Sequence, residues 1–212
     1  MKLMAMASII CILGCATNSG DPVAVVLGRR IYRDDLKPEA RTLAMKQSDL
    51  SPADFMAWQG AYPAESLSQL VQEPLMRRYM REHKLSVSDK ELIAYLKHGG
   101  DEPLPDGVLD KFLDKEGMAF FRWIMETRLF AKSLFQTYGG RVAISSFGFA
   151  DAVDARAAFL RQQTQAGVFV IDDPTLREAF WKNTTNQWLD ATLTEEEARE
   201  MFSRPGFPMD RE

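Results

Sequence analysis

The sequence is poor in the residues on which metal centres and histidine chemistry depend. It holds only two histidines and two cysteines among 212 residues, which argues against zinc-finger and iron–sulfur proteins. It also lacks a basic excess, because 26 Lys and Arg residues face 30 Asp and Glu residues for a net charge of −4. A dedicated nucleic-acid-binding protein would normally be net basic or carry a dense basic stripe. These shortages exclude several large functional classes.

The motifs of common enzyme chemistry are missing as well. The sequence has no Gly-x-Ser-x-Gly, no P-loop and no His-Glu-x-x-His. It therefore lacks the motifs of serine hydrolases, of P-loop nucleotide-binding proteins and of zinc proteases. His83 and His98 lie at predicted helix ends, where histidines usually face solvent or cap the helix. The acidic pairs and triplets at Asp172-Asp173 and Glu195-Glu196-Glu197 suit helix N-termini better than a calcium site. The sequence predicts no catalytic residue, no metal and no cofactor.

What the sequence does contain is a globular balance, with 46% hydrophobic and 26% charged residues. Its first fifteen residues have the arrangement of a bacterial lipoprotein signal. Lys2 precedes an apolar run from Leu3 to Leu13, which is shorter than the roughly 20 residues that span a bilayer but suits a secretory signal. Ile12-Leu13-Gly14-Cys15 then resembles a lipobox. The alternative is an ordinary signal peptide with a chance Gly-Cys pair.

The lipobox resemblance implies cleavage before Cys15 and acylation of its sulfur and new amino group. Residues 1–14 are then a discarded signal peptide and residues 15–21 a short tether. Ala16 resembles the residue found in lipoproteins sorted to the outer membrane. Two or three acyl chains would anchor the protein stably, with the rest of the chain facing the periplasm. The expected partner of Cys15 is therefore a lipid bilayer.

Periodicity and turn signals predict a mainly α-helical, α+β protein with a small sheet. The β-branched run from Pro22 to Leu27 predicts a strand, and Gly28 predicts a tight turn into a short second strand. Asp34 or Asp35 is placed to cap a first helix. Pro38 would lie in the first turn of that helix, where its missing N–H costs little.

The next signals are three helix starts in close succession. Ser51-Pro52 predicts a short helix ending near Gly60. The apolar periodicity from Ala64 to Lys84 predicts a longer helix, which Pro74 should kink or split. Ser88 and Glu91 form a capping box at the start of a further helix.

The strongest helical pattern runs from Met118 to Tyr138 and ends at Gly139-Gly140, as left-handed caps prefer. We expect its apolar stripe to be core, Phe120 and Trp123 included. Beyond it the pattern predicts, in order, a strand at 141–149, a helix at 151–165, a strand at 168–171, a helix from Asp173-Pro174 and a helix opened by the capping box of Thr194 and Glu197.

Three stretches in this order resemble SurA-type periplasmic chaperones: VAVVLGRRIYRDDL (23–36), ESLSQLVQEPLMRRYMREHKLSVSDKELIAYL (65–96) and FLDKEGMAFFRWIMETRLFAKSLFQTYGGRVAIS (112–145). The resemblance implies a SurA N-terminal-like helical domain over residues 22–145. In that family the strand after the long helix returns to pair with the first hairpin. An apolar surface of the domain then holds unfolded or outer-membrane polypeptides.

Family members often continue into a parvulin prolyl-isomerase domain, and here the resemblance weakens. The strand that should carry a histidine offers Phe147-Gly148-Phe149, and no Gly-Gly-x-Leu-Gly loop follows. The isomerase is therefore expected to be absent or degenerate. Residues 146–202 form a short α/β extension, which is either a degenerate parvulin-like unit or folds back on the first domain. Residues 203–212 are a tail.

The sequence therefore predicts a membrane-anchored periplasmic chaperone that binds unfolded clients without ATP or another cofactor and contacts no nucleic acid. Thioethers and aromatic rings adapt to varied peptides, so the candidate client contacts are Met76, Met80, Phe121 and Met125. Two alternatives stay open. One is a peptidyl-prolyl cis-trans isomerase with a divergent parvulin half, and the other is a dedicated assembly subunit of an envelope or secretion system.

Overall fold

The computed structural model describes residues 20–98, 115–144, 150–185 and 191–203. Within these ranges the protein is mainly α-helical and carries two small antiparallel sheets of three strands each. The predicted fold class is thus confirmed. Cys15, the loop at 99–107 and the stretch Phe147-Gly148-Phe149 lie outside the described residues. No helix in the described ranges is long and apolar enough to cross a bilayer.

The first sheet is built on the predicted hairpin. Strand β1 (Ala24–Val26) pairs with β2 (Arg29–Ile31) on one side and with β5 (Phe169–Ile171) on the other. The turn at Leu27 and Gly28 has φ angles of +50° and +80°, the mirror-image conformation that suits the twist of a two-residue hairpin. One face of the sheet covers the core, because it carries the buried side chains of Ala24, Val26, Ile31, Phe169 and Ile171.

The chain after the hairpin forms two helical pieces where one was predicted. A 3₁₀ helix (Arg33–Leu36) is followed by α1 (Ala40–Asp49). The break falls at Lys37, whose backbone is extended with ψ of 142°. Lys37 precedes Pro38, and the proline ring disfavours a helical conformation in the residue before it. The prediction of a single helix from Asp34 or Asp35 was wrong for this reason.

Helix α2 (Pro52–Glu82) is continuous where two helices were predicted. Ser51 caps it as expected, accepting a hydrogen bond from the Asp54 amide at 3.2 Å. Pro63 and Pro74 lie inside the helix, each removing a backbone donor. Burial along one face from Ala64 onwards offsets that loss. The buried residues recur every three or four positions: Ala64, Leu67, Val71, Leu75 and Tyr79.

The remaining elements are α3 (Asp89–His98), α4 (Lys115–Tyr138), β3 (Val142–Ile144), β4 (Ala150–Asp151), α5 (Val153–Gln165), β5, α6 (Pro174–Thr185), β6 (Ala191–Leu193) and α7 (Glu195–Ser203). Both predicted capping boxes are confirmed. The Ser88 amide donates to Glu91 Oε2 at 2.8 Å, and the Thr194 amide donates to Glu197 Oε2 at 2.7 Å. The chain leaves α4 through Gly139 and Gly140, both at positive φ.

The pairing of the strands differs from the family pattern. Strand β3, which follows the long helix, pairs with β4 and β6 in the second sheet rather than with the first hairpin. The third strand of the first sheet is instead β5, which follows α5 after a turn at Gly167 with φ of +69°. Phe169 and Ile171 of β5 face inward, where the Phe169 ring lies 5.7 Å from that of Phe180. Burial of these large side chains favours β5 in that place.

A continuous apolar core runs through both sheets and the helices around them. Its most deeply buried large side chains include Phe169, Phe180, Leu67, Leu75, Leu134, Leu160 and Met125. Residues before and after position 145 are intermixed in this core. The predicted C-terminal extension therefore contributes a strand and two helices to the structure that contains the first hairpin.

Candidate client-binding surface

The predicted client contacts lie on or in the core. Met125 is 1% exposed and Met80 is 7% exposed, and both belong to the main apolar cluster. Met76 and Phe121 are half-buried and pack against that cluster. A side chain as buried as Met125 has no surface to offer a client in this structure. Met80 and Phe121 were expected to be exposed, and the structure shows Met80 buried and Phe121 half-buried. Whether any of the four residues contacts a client stays a prediction.

Helix α4 explains the correction, because the face that it buries changes along its length. In its second half Phe130 and Leu134 of the predicted stripe are buried as expected. Nearer the start of the helix Ile124 is buried too, but Met125 and, one turn later, Leu129 are buried as well. Met125 and Leu129 lie on the side opposite Phe120 and Trp123. The neighbour of that side is α3 together with the chain that leads into it.

Two arginines hold the face of α4 that bears Met125 against α3. The Arg122 Nε donates to the Val87 carbonyl at 3.2 Å, and its guanidinium also pairs with Asp89 at the start of α3. Arg128 donates to the Tyr95 hydroxyl of α3. The face bearing these arginines must point at α3, so the opposite face points to solvent.

An exposed aromatic cluster occupies that opposite face. Phe120 is 54% exposed and Trp123 is 52% exposed, although both were predicted to be core. Their rings stack with centroids 6.3 Å apart, and the Phe120 ring meets Phe121 edge-to-face at 5.6 Å. Phe121 in turn packs on the core. We call these three residues, Phe120, Phe121 and Trp123, the aromatic cluster of α4.

A second apolar surface lies on α1 and the first three turns of α2. Helix α1 contains no buried residue, and the buried residues of α2 begin only at Ala64. Met45 and Met56 are exposed on these helices. Beside Met56, Trp58 stacks on Phe55 at 5.9 Å and meets Tyr62 at 5.1 Å. Thioethers next to aromatic rings form an adaptable surface.

The polar groups of the described residues do not form a catalytic arrangement. His83 is exposed and its ring stacks on Tyr79 with centroids 4.0 Å apart. No group of three or more His, Cys, Asp or Glu residues within the described ranges could hold a metal. Among the described residues, His83 therefore packs against an aromatic ring and is not paired with a carboxylate or a nucleophile.

An open cavity of 440 Å³ lies at the end of the first sheet nearest the N-terminus. It is lined by backbone and by carboxylates, among them Asp21, Asp34 and Asp172. Arg33, which also lines the cavity, pairs with Asp173 at the start of α6. This ion pair joins the 3₁₀ helix to the C-terminal part of the chain. The cavity is acidic and contains no nucleophile beside a base.

Within the ranges that the structure describes, the most buried ion pair joins β4 to α5. Arg156 contacts Asp151 at 2.9 Å and also donates to the Thr184 carbonyl at 3.3 Å and to Gln72 at 3.4 Å. Burial raises the pKa of Asp151, and the charge of Arg156 opposes that rise. The guanidinium of Arg156, on α5, thus links that helix to β4, α2 and α6 through charge-assisted hydrogen bonds. This arrangement is typical of a structural role.

Sequence reasoning missed the exposed members of both apolar surfaces. The composition carried a signal, since the chain holds eleven methionines and thirteen phenylalanines, and methionine adapts to varied partners. It could not place them, because Met45 lies on a helix with no buried residue and Met56 precedes the part of α2 whose side chains are buried. Comparison of the chain with protein-family models, with curated proteins and with solved structures finds no match.

Proposed function

We propose that this protein is a lipid-anchored periplasmic chaperone that holds unfolded or outer-membrane polypeptides without ATP. The observation that carries the proposal is the aromatic cluster of α4, in which Phe120 and Trp123 are exposed to solvent. Exposure of adjacent large aromatic rings to water is unfavourable in free energy, and such patches commonly mark a surface that binds a partner. The resemblance to SurA-type chaperones and the lipobox at Cys15 support the same function.

The proposed mechanism is burial of apolar client segments without covalent chemistry. Each Å² of apolar surface removed from water contributes about 25 cal/mol, and an aromatic ring offers its face without losing much rotamer entropy. Methionines at positions 45 and 56 would extend the contact to client segments of varied shape.

The test is suppression of aggregation of an unfolded outer-membrane protein diluted from urea. The variant Phe120→Gln/Trp123→Gln removes the exposed rings and keeps residues that favour helix. We expect it to require roughly tenfold more protein for equal suppression, since a loss of about 1.4 kcal/mol weakens binding tenfold. A second variant, Met45→Gln/Met56→Gln, measures the contribution of the other apolar surface.

The matched control for these variants lies on the same helix. Gln136 and Thr137 are exposed near the end of α4, and Gln136→Ala/Thr137→Ala should leave suppression unchanged. Loss of suppression in the control as in Phe120→Gln/Trp123→Gln would contradict a specific surface. No suppression by the natural protein at several-fold excess would refute the proposal.

The lipid anchor has a separate test. Mass spectrometry of protein extracted from bacterial membranes should find acyl chains on Cys15, and Cys15→Ser should release the protein into the periplasmic fraction. A mature N-terminus elsewhere than Cys15 would refute the anchor while leaving the chaperone proposal to its own experiment.

The two alternative functions are separated by other measurements. Crosslinking in envelope fractions followed by mass spectrometry should recover many outer-membrane proteins if the protein is a general chaperone. Recovery of one stoichiometric partner would favour the assembly subunit. Acceleration of proline isomerisation in a model peptide would favour the isomerase, and we expect the background rate.

A further inference from the structure

We propose that the tip of the first hairpin lies against the anionic phospholipid surface to which the protein is anchored. The tip comprises Leu27, Gly28, Arg29 and Arg30, which are all exposed. The proposal rests on the lipid anchor at Cys15 and adds an orientation to it. It does not depend on client binding, which uses other surfaces.

The first observation is the conformation of Leu27. Its φ angle is +50°, in the left-handed region of the backbone, which residues other than Gly, Asn and Asp rarely adopt. Two-residue hairpin turns of this geometry favour Asn-Gly. Here a large apolar side chain stands in the strained position and is 41% exposed. Strain and exposure together point to a contact outside the chain itself.

The second observation is the outer face of the sheet behind the tip. Val25 pairs with Arg30 on one side and with Val170 on the other, so the three side chains form a row on one face. Val25 is half-buried and Val170 is exposed. An apolar strip thus runs back from Leu27, with arginine beside it. This combination suits the boundary between lipid headgroups and acyl chains.

The third observation is charge. Within the described ranges, Arg29 and Arg30 form no ion pair with an acidic side chain. Anionic lipid attracts a nearby arginine strongly enough to change a binding equilibrium about fivefold. The opposite end of the sheet carries Asp21, Asp34 and Asp172 around the open cavity. Anionic lipid repels that end, which favours orientations in which the tip and the outer face of the sheet, rather than the acidic end, meet the surface.

The fourth observation is the length of the tether. Four residues lie between Cys15 and Gly20, and the five backbone steps that join the two span at most about 18 Å. The tether joins the sheet at its acidic end, beside Gly20, and Leu27 lies four residues beyond Val23, about 13 Å away. The tip can therefore reach the bilayer when the sheet lies along it. At the effective concentration set by so short a tether, contacts too weak to bind the membrane alone determine the orientation.

The experiment uses the full lipidated protein in vesicles of phosphatidylethanolamine and phosphatidylglycerol. A fluorophore is placed on Val170→Cys, on the outer face of the sheet, or on Glu196→Cys, which is exposed in α7. Acylated Cys15 has no free thiol and remains unlabelled. Phospholipids with a nitroxide in the headgroup region should quench the label at position 170 more strongly than the label at 196.

Two variants in the Val170→Cys background sharpen the test. Leu27→Asn suits the left-handed turn and removes the apolar side chain, so quenching should fall while the Tm does not. Arg29→Gln/Arg30→Gln should lower the ratio of membrane-apposed to free orientations about fivefold per charge. In vesicles of neutral phosphatidylcholine the arginine variant should quench like its parent.

Equal quenching at positions 170 and 196, in protein whose acylation at Cys15 mass spectrometry has verified, would overturn the proposal. Unchanged quenching in both variants would overturn it as well. Because aggregation suppression by Leu27→Asn should equal that of the natural protein, failure of this orientation is distinguishable from failure of the chaperone proposal.

Discussion

At the scale of single residues, the junction after α4 depends on one close approach. Asp154 of α5 accepts hydrogen bonds from the Arg141 amide at 2.9 Å and from the Arg141 guanidinium at 2.8 to 3.2 Å. This brings α5 against Gly140, whose φ angle is +92°. A Cβ atom on Gly140 would lie 2.6 Å from the Asp154 Cβ. Glycine is required there by space as well as by conformation.

Gly140→Ala is therefore expected to destabilise the protein more than Gly139→Ala. Both positions have positive φ, but a Cβ atom on Gly139 meets nothing within 4 Å. Gly139→Ala should cost about 1–2 kcal/mol from the left-handed conformation alone, and Gly140→Ala should exceed it. Urea unfolding of the two variants measures the difference. Equal losses would contradict the close approach to Asp154.

The same contact predicts a dependence of stability on pH. Hydrogen bonds from Arg141 lower the pKa of Asp154 below its ordinary 3.8. The folded state then holds fewer protons than the unfolded state just below pH 3.8, so the contribution of Asp154 is complete above that pH and is lost as the pH falls through its lowered pKa. Both side chains are more than a third exposed, so solvent screening limits the contribution to about 1 kcal/mol or less.

Asp154→Asn should accordingly lower the free energy of unfolding at pH 7, and the difference from the natural protein should shrink as the pH falls below 3.8. Chemical unfolding at a series of pH values is the measurement. A difference that stays constant down to pH 2 would show that the carboxylate charge is not the source of the stabilisation.

At the scale of elements, α4 is the helix whose orientation decides the candidate site. Its first half is oriented by α3, and its second half packs in the core with α2 and α5. The aromatic cluster is exposed because the arginines at 122 and 128 face α3 from the other side of the helix.

Met125→Ala and Trp123→Ala should therefore differ sharply, although the residues are two positions apart. Met125 is fully buried, and truncation of such a side chain leaves a cavity that costs about 2–5 kcal/mol. Trp123→Ala, at an exposed site, should change stability by about 0.5 kcal/mol or less. Thermal and urea unfolding test the pair, and a larger loss for Trp123→Ala would mean that α4 is rotated from the orientation described.

At the scale of the whole molecule, the core joins the first hairpin to elements late in the chain. Strand β1 is the centre of its sheet only because β5 lies on its second side, and α6 packs along α2. The buried residues after position 145 include Phe159, Leu160, Phe169, Ile171, Leu176 and Phe180. Removing these would expose the inner faces of β1 and α2 to water.

A chain ending at Ile144 is thus expected not to fold cooperatively, although it contains nearly all of the predicted domain of residues 22–145. The full chain should unfold in one transition, and the shortened chain should lack near-ultraviolet dichroism and bind hydrophobic dyes. A shortened chain with a cooperative transition of its own would show that residues 22–144 are independent of the extension.

The sequence by itself determined the local features, because each depends on a few neighbouring residues. The capping boxes at Ser88 and Thr194, the N-cap at Ser51 and the glycine exit from α4 form as predicted, through hydrogen bonds and φ angles set within a single turn. The apolar periodicity likewise gave the helical class correctly. The break at Lys37 was not predicted, and it arises because Pro38 disfavours a helical conformation in the residue before it.

Only the tertiary structure decided which faces of these elements are buried. Phe120 and Met125 are both apolar residues of one helix, and periodicity alone cannot tell which of them meets α3. The partner of β1 was equally undetermined, because β3 and β5 are both short β-branched or aromatic strands and the choice depends on where the helices between them pack. Burial and strand pairing are properties of contacts between distant segments, and the exposed surfaces on which the proposed functions rest follow from them.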